Sequence, residues 1–179
     1  MARDPDPPHH RHVAVLALAL FDQLRDLHGL EERCRPLMEA AALLHDVGWC
    51  DGGKGHHKRA YDLILQGDLP LGEDLPLVAA VARYHRRGLP KRRHRALRDL
   101  DREDRRAVRW LAALLRVADG LDVEHRGQVT GLSCGLGDGT VEVIVRAAAS
   151  PRAALEAAAR KADLFREISG RNLVMQWKP

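Results

Sequence analysis

His45 and Asp46 stand side by side just before Gly48. Near a helix end, adjacent residues lie about 100° apart around the axis, so an imidazole and a carboxylate there can grip one ion from neighbouring directions. The dipeptide alone is a weak signal in a chain with ten histidines. It has company, because His9 opens one apolar-periodic run and Asp119 ends another, inside the segment LRVADGLD at 115–122. A carboxylate at the edge of an apolar helix is costly unless it meets a cation. His9, His45, Asp46 and Asp119 therefore offer two imidazoles and two carboxylates from three helices. Mixed nitrogen and oxygen ligation suits one or two divalent ions of the Mn, Fe, Co, Zn or Mg type. His56 and His85, on separate segments, could hold a second ion with Asp46 as the bridge. Two such ions would supply a hydroxide at neutral pH and neutralise a phosphoryl group under in-line attack. The plainer alternatives are a helix-end histidine beside a solvated aspartate, and core-edge histidines at 56 and 85.

The elements that must carry these residues are mostly helical. Apolar residues at Val13, Leu16, Ala17, Leu20, Phe21 and Leu24 predict a helix from about Pro8 to His28, ended by Gly29. A second is expected from about 32 or 36 to Val47, stopped by Gly48 and the Asp51-Gly52-Gly53 cluster. Further helices are read at about 57–66, 76–85 and 102–119. After Gly127 the period changes to two: 128–134 and 140–146 read as strands around a turn at 135–139. Ser150 and Pro151 form an N-cap and first-turn pair for a helix to Ile168, and 172–177 reads as a last strand. The expected fold is mainly α: a helical bundle over 1–126 and a small β-β-α-β subdomain over 127–179.

At 179 residues the chain has room for one domain and a small appendage, which excludes a large multidomain enzyme. No apolar run reaches the roughly 20 residues of a membrane span, and the short stretch 13–21 lacks the flanks of an export signal. Cys34, Cys50 and Cys134 are too few and scattered for a disulfide framework, so a cytoplasmic protein is expected. Charge is segregated: twelve Lys/Arg face four acidic residues between Arg83 and Arg109, while the rest of the chain is net acidic. That block reads either as a solvated surface or as an anion-collecting rim beside His85. Lys54, Arg83, Arg86 and Arg87 are the candidates for contacting substrate phosphate. With 4% aromatic residues there is no stacking platform for sequence-specific nucleic-acid binding. His12 and His57 flank the candidate ligands, His10, His28 and His94 are expected to face solvent, and Asp122 or Glu124 could orient a ligand or cap a turn.

The order His, His-Asp, Asp resembles that of the HD-domain metal-dependent phosphohydrolases. More closely, the segments at 9–24, 42–48 (ALLHDVG), 56–64 (HHKRAYDLI), 81–87 (VARYHRR) and 115–122 look like the C-terminal region of exopolyphosphatase and guanosine pentaphosphate phosphatase (Ppx/GppA) proteins. The resemblance implies an HD-type bundle with a terminal α/β subdomain. In those proteins the polyphosphate-hydrolysing site lies N-terminal to this region, so exopolyphosphatase activity is not carried over. The HD pattern's lysine after the His-Asp pair is replaced by Trp49. The expectation is a stand-alone phosphohydrolase acting on a phosphate ester, nucleotide or polyphosphorylated small molecule, with a homodimer among the states allowed. The alternative is a non-catalytic module that binds polyphosphate or a guanosine polyphosphate, or partners a separate catalytic domain.

Overall fold

The computed structural model describes residues 6–49 and 54–179. Cys50 and the stop signal expected at 51–53 lie outside the described residues. Helix α1 (Pro7–Gln23) starts where Asp6 accepts a hydrogen bond from the His9 backbone N–H and two prolines occupy the first turn. Its inner face buries Val13, Leu16, Ala17, Leu20 and Phe21, each large side chain contributing about 1.5–3 kcal/mol on leaving water. The predicted single helix breaks at Leu24 into α1 and a short α2 (Arg25–His28), and Gly29 ends it in the left-handed region at φ 54°. Helices α3 (Cys34–Leu44), α4 (His56–Gln66) and α5 (Leu75–Arg83) follow, the last preceded by a 3₁₀ turn at Gly72–Asp74. A one-turn α6 (Arg95–Arg98), unforeseen in the sequence, comes next. The long α7 (Arg102–Leu121) runs through the middle with almost every residue from Ala107 onward buried.

Strands β1 (Gly131–Leu136) and β2 (Thr140–Arg146) form the expected hairpin. Its turn is tighter than predicted, because Gly135 and Leu136 still pair with Glu142 and Val141, so β1 starts and ends later than the sequence suggested. Helix α8 (Arg152–Lys161) begins one residue after the expected place: Pro151, not Ser150, holds the cap position, and its carbonyl accepts from Leu155 N–H. The helix read as continuous to Ile168 breaks at Ala162, giving α9 (Asp163–Ser169). Strand β3 (Asn172–Lys178) then pairs parallel to β2, so the sheet order is β1-β2-β3. Val141, Val143 and Val145 of the central strand face inward. One hydrophobic cluster runs without interruption from α1, α3, α5 and α7 into the sheet, α8 and α9. Helices α7 and α8 approach closely at Gly120, where a Cβ would stand 2.5 Å from the Cα of Ala158. Among the described residues no helix is long and apolar enough to cross a membrane.

Candidate metal centre

Five helix ends meet at one side of the bundle. His9 lies in the first turn of α1, His45 is the C-cap of α3, Asp46 follows it, His56 opens α4, His85 lies just past α5, and Asp119 sits in the last turn of α7. The His-Asp pair is thus in the turn after α3 rather than inside a helix that reaches Val47. Gly48 makes that turn possible, since a Cβ there would lie 2.3 Å from the His56 carbonyl oxygen and 2.4 Å from Ala60 N. The glycine lets the Asp46 turn rest directly on the start of α4. Three of the converging termini are C-terminal, and their partial negative charge favours a cation.

All six candidate ligands are buried. Asp46 Oδ1 stands 3.0 Å from His56 Nε2 and 3.3 Å from His85 Nε2, and those two nitrogens are 3.1 Å apart. On the other side, Asp46 Oδ2 is 3.7 Å from His45 Nε2. Among the described residues two groups therefore have donor atoms close enough to hold an ion: His9, His45 and Asp46, and Asp46, His56 and His85. Asp46 belongs to both.

Backbone contacts turn the imidazoles inward. His45 and His85 each donate Nδ1–H to a carbonyl three residues back, Ala42 and Ala82, both at 2.7 Å. His9 Nδ1 donates to Asp122 Oδ2 at 2.8 Å. In every case Nε2 is left to face the centre, the arrangement that fixes the tautomer of a metal-binding histidine. His9 Nε2 and His45 Nε2 are buried with no hydrogen-bond partner among the described residues. Buried lone pairs of this kind are expensive unless something electrophilic meets them, so the donor set fits a divalent ion.

Electrostatics agree. Burial pushes His45 down to about 3, so its imidazole is neutral. Burial would raise the Asp46 carboxyl, but the His56, His85 and His45 rings close around it outweigh that and hold the group far below the carboxylate range. For His9 the loss of solvent is likewise outweighed, by Asp122 and Asp119, and its pKa rises. Asp119 is lowered despite complete burial by the Lys161 ammonium and the nearby histidines. Its Oδ1 lies 3.7 Å from His9 Nε2, whereas its Oδ2 is held by Lys161 Nζ.

Several residues stand elsewhere than the sequence suggested. His10 and His28 are fully buried instead of solvent-facing: the His10 ring packs 5.0 Å from His45, and His28 bridges the Phe21 carbonyl and the Leu30 N–H. His94 is half-buried, its Nδ1 accepting from the Tyr84 hydroxyl at 2.8 Å. Of the two acids offered as orienting groups, Asp122 does so and Glu124 faces Arg126 instead. Lys54 is exposed, with its backbone carbonyl engaged by Arg59. Arg83, Arg86 and Arg87 line a cleft of about 340 Å³ with His57, which burial and the neighbouring Arg83 push down to about 4. Five others of the basic block are engaged: Arg95, Arg98 and Arg109 pair with Asp62, Asp99 and Glu167, and Arg105 and Arg106 bind backbone carbonyls. Two contributors escaped the sequence altogether, Lys161 and His125. The His125 ring stacks on His9 at 3.7 Å from a left-handed backbone, φ 55°, while its Nδ1 meets Asp6 at 2.7 Å.

The fold and the site together define a mainly α-helical protein with a buried imidazole-carboxylate centre and a small appended sheet. Comparison with known families places it further. The chain belongs to the Ppx/GppA phosphatase domain III family, whose model matches residues 5–149 and so crosses from the helical bundle into the hairpin. No curated protein matches the chain.

Proposed function

We propose that the protein is an HD-type, divalent-metal-dependent phosphohydrolase acting on a phosphate ester, a nucleotide or a polyphosphorylated small molecule. The observation that carries this reading is the pair of three-residue donor groups sharing Asp46. His9, His45 and Asp46, with Asp119 close by, would hold one ion, and His56 and His85 with Asp46 a second. Divalent ions held this way would activate water and offset charge on a phosphoryl group. The protein's own part is to anchor the Nδ1–H of His45, His85 and His9, through the Ala42 and Ala82 carbonyls and the Asp122 carboxylate, so that their Nε2 atoms aim inward. Arg83, Arg86 and Arg87 present fixed positive charge to a phosphate at the neighbouring cleft. Lys54 is the phosphate candidate that the geometry supports least.

Elemental analysis of the purified protein tests the centre, followed by a screen for Mn²⁺-dependent phosphate release from small phosphate esters and nucleotides. Bound transition metal that disappears in Asp46→Ala, together with turnover of at least one ester, is the expected result. Equal metal in wild type and variant removes the site assignment.

One observation favours the second reading, a binding or regulatory module without catalysis. Lys161 already neutralises Asp119 from within the chain, as it would where no ion is needed. Protein that takes up no divalent ion under any loading condition supports that module.

A further inference from the structure

The two edges of the small sheet differ. Strand β1 is closed by a side chain: Gln23, the last residue of α1, donates Nε2–H to the Leu132 carbonyl at 3.1 Å and accepts the Cys134 N–H at 2.8 Å. One side-chain amide thus takes the place of a neighbouring strand. Strand β3 is hydrogen-bonded to β2 alone. Within a pleated strand, alternate residues turn both backbone groups to opposite sides, and Asn172 N–H binds the Gly139 carbonyl at 3.0 Å. Asn172, Val174 and Gln176 therefore direct their backbone groups to β2. Leu173, Met175 and Trp177 direct theirs to the open side, where they have no partner among the described residues.

This row is bounded at both ends. At the outward position before it, Arg171 has its N–H taken by Ser169 Oγ at 3.1 Å. At the one after it, Pro179 has no N–H to give. Three open residues centred on Met175 remain, and such a row is its own antiparallel complement. A two-fold axis at Met175 sets Leu173 opposite Trp177 and Met175 opposite itself, each pair exchanging two hydrogen bonds. A slip in register leaves part of the row unmatched. The side chains agree with this pairing. Leu173 and Met175 are half-buried and Trp177 is 37% exposed, although Val141, Val143 and Val145, their partners on β2, are fully buried. A partner strand would cover that apolar margin, bringing Leu173 against Trp177. On the outer face Val174 meets Gln176 and Asn172 meets Lys178, so no like charges are opposed.

We infer that β3 is the association surface for a second copy of this chain, added antiparallel about Met175 so that two three-stranded sheets become one of six. Unblocked strand edges invite such pairing. Because Gln23 closes the far edge in each copy, assembly stops at two. The inference is independent of the proposed function, and β3 lies outside the residues 5–149 that the family model matches.

Sedimentation equilibrium of the full chain over a concentration series tests it. A reversible monomer–dimer equilibrium is expected, without larger species. Val174→Lys/Gln176→Lys sets lysine against lysine twice across the axis, and should weaken the dimer about tenfold relative to Val174→Lys/Gln176→Glu, which sets lysine against glutamate at the same places. Both positions are exposed, and circular dichroism checks that each variant folds. Hydrogen exchange on the unmodified protein reads the same contact without substitution, and decides the matter if a variant fails to fold. The Leu173, Met175 and Trp177 amides should be protected at concentrations where the dimer forms and exchange freely where it has dissociated. A chain that stays monomeric, a dimer equally stable in both variants, exchange at the three amides that ignores concentration, or open-ended assembly overturns the inference.

Discussion

His9 and Asp122 are 113 residues apart in sequence, yet the imidazole Nδ1 of one donates to the carboxylate of the other at 2.8 Å in a fully buried contact. The same carboxylate accepts the Gly127 backbone N–H at 2.8 Å, which fixes its orientation. Outer-sphere carboxylates of this kind set the tautomer and basicity of a ligating histidine. Asp122→Asn is expected to lower metal affinity by about 10–100-fold without abolishing it, as measured by competition with a chromogenic chelator. Unchanged affinity would reduce Asp122 to a turn cap.

The two donor groups share one residue, so their variants should differ in stoichiometry. His9→Gln should lose the ion beside His45 and keep the other, His56→Gln should do the reverse, and Asp46→Ala should lose both. Metal-to-protein ratios from plasma mass spectrometry decide this. Identical ratios for the His9 and His56 variants would mean one ion, not two.

Lys161 and a bound ion are rival partners for Asp119. In Lys161→Met the metal-free protein keeps a buried carboxylate without its ammonium, at a cost of roughly 1–3 kcal/mol. Mn²⁺ should therefore raise the melting temperature of the variant more than that of wild type. An equal increase in both would place the ion away from Asp119.

His28 gives a pH signature remote from the centre. Its Nε2–H donates to the Phe21 carbonyl and its Nδ1 accepts from Leu30 N–H, both at 2.9 Å, so only the neutral ring satisfies the pocket. Burial holds its pKa below the ordinary value. The unfolded chain takes up this proton near pH 6.5, and the folded one only at lower pH. Stability is therefore lost as pH falls through about 6.5 and stops falling once the folded value is passed. The advantage of wild type over His28→Gln in urea unfolding should shrink between pH 7.5 and 5, by at most about 1.4 kcal/mol per pH unit. A difference independent of pH would contradict the assignment.

The sequence revealed the donors but not what surrounds them. His9, His45, Asp46, His56, His85 and Asp119 could be picked out because type and helical period both mark them, and the structure gathers them at one end of the bundle. Lys161 could not, because a lysine at the end of an alanine-rich helix reads as solvent-exposed until α8 is laid across Gly120. His10 and His28 escape the sequence for a related reason: each completes a polar contact or ring packing with residues distant in sequence or beyond the next turn, which period alone does not encode. The breaks at Leu24 and Ala162 fall at residues with good helix propensity, so only packing explains them. The basic block looked uniform in sequence, and only tertiary partners separate Arg86 and Arg87 from the arginines already paired.

The parallel pairing of β2 with β3 joins Thr140 to Asn172, with α8 and α9 as the crossover between them. A pair of this kind has no hairpin shortcut, so the last strand can zip up only after the intervening helices have travelled across α7. Such non-local closure is slow because its entropy is lost before its contacts form. Lys161 rides on that excursion. Until α8 has docked on α7, Asp119 lacks the Lys161 ammonium that holds its Oδ2 in the finished fold, so the charge balance of the buried centre depends on the last part of the chain to be laid down.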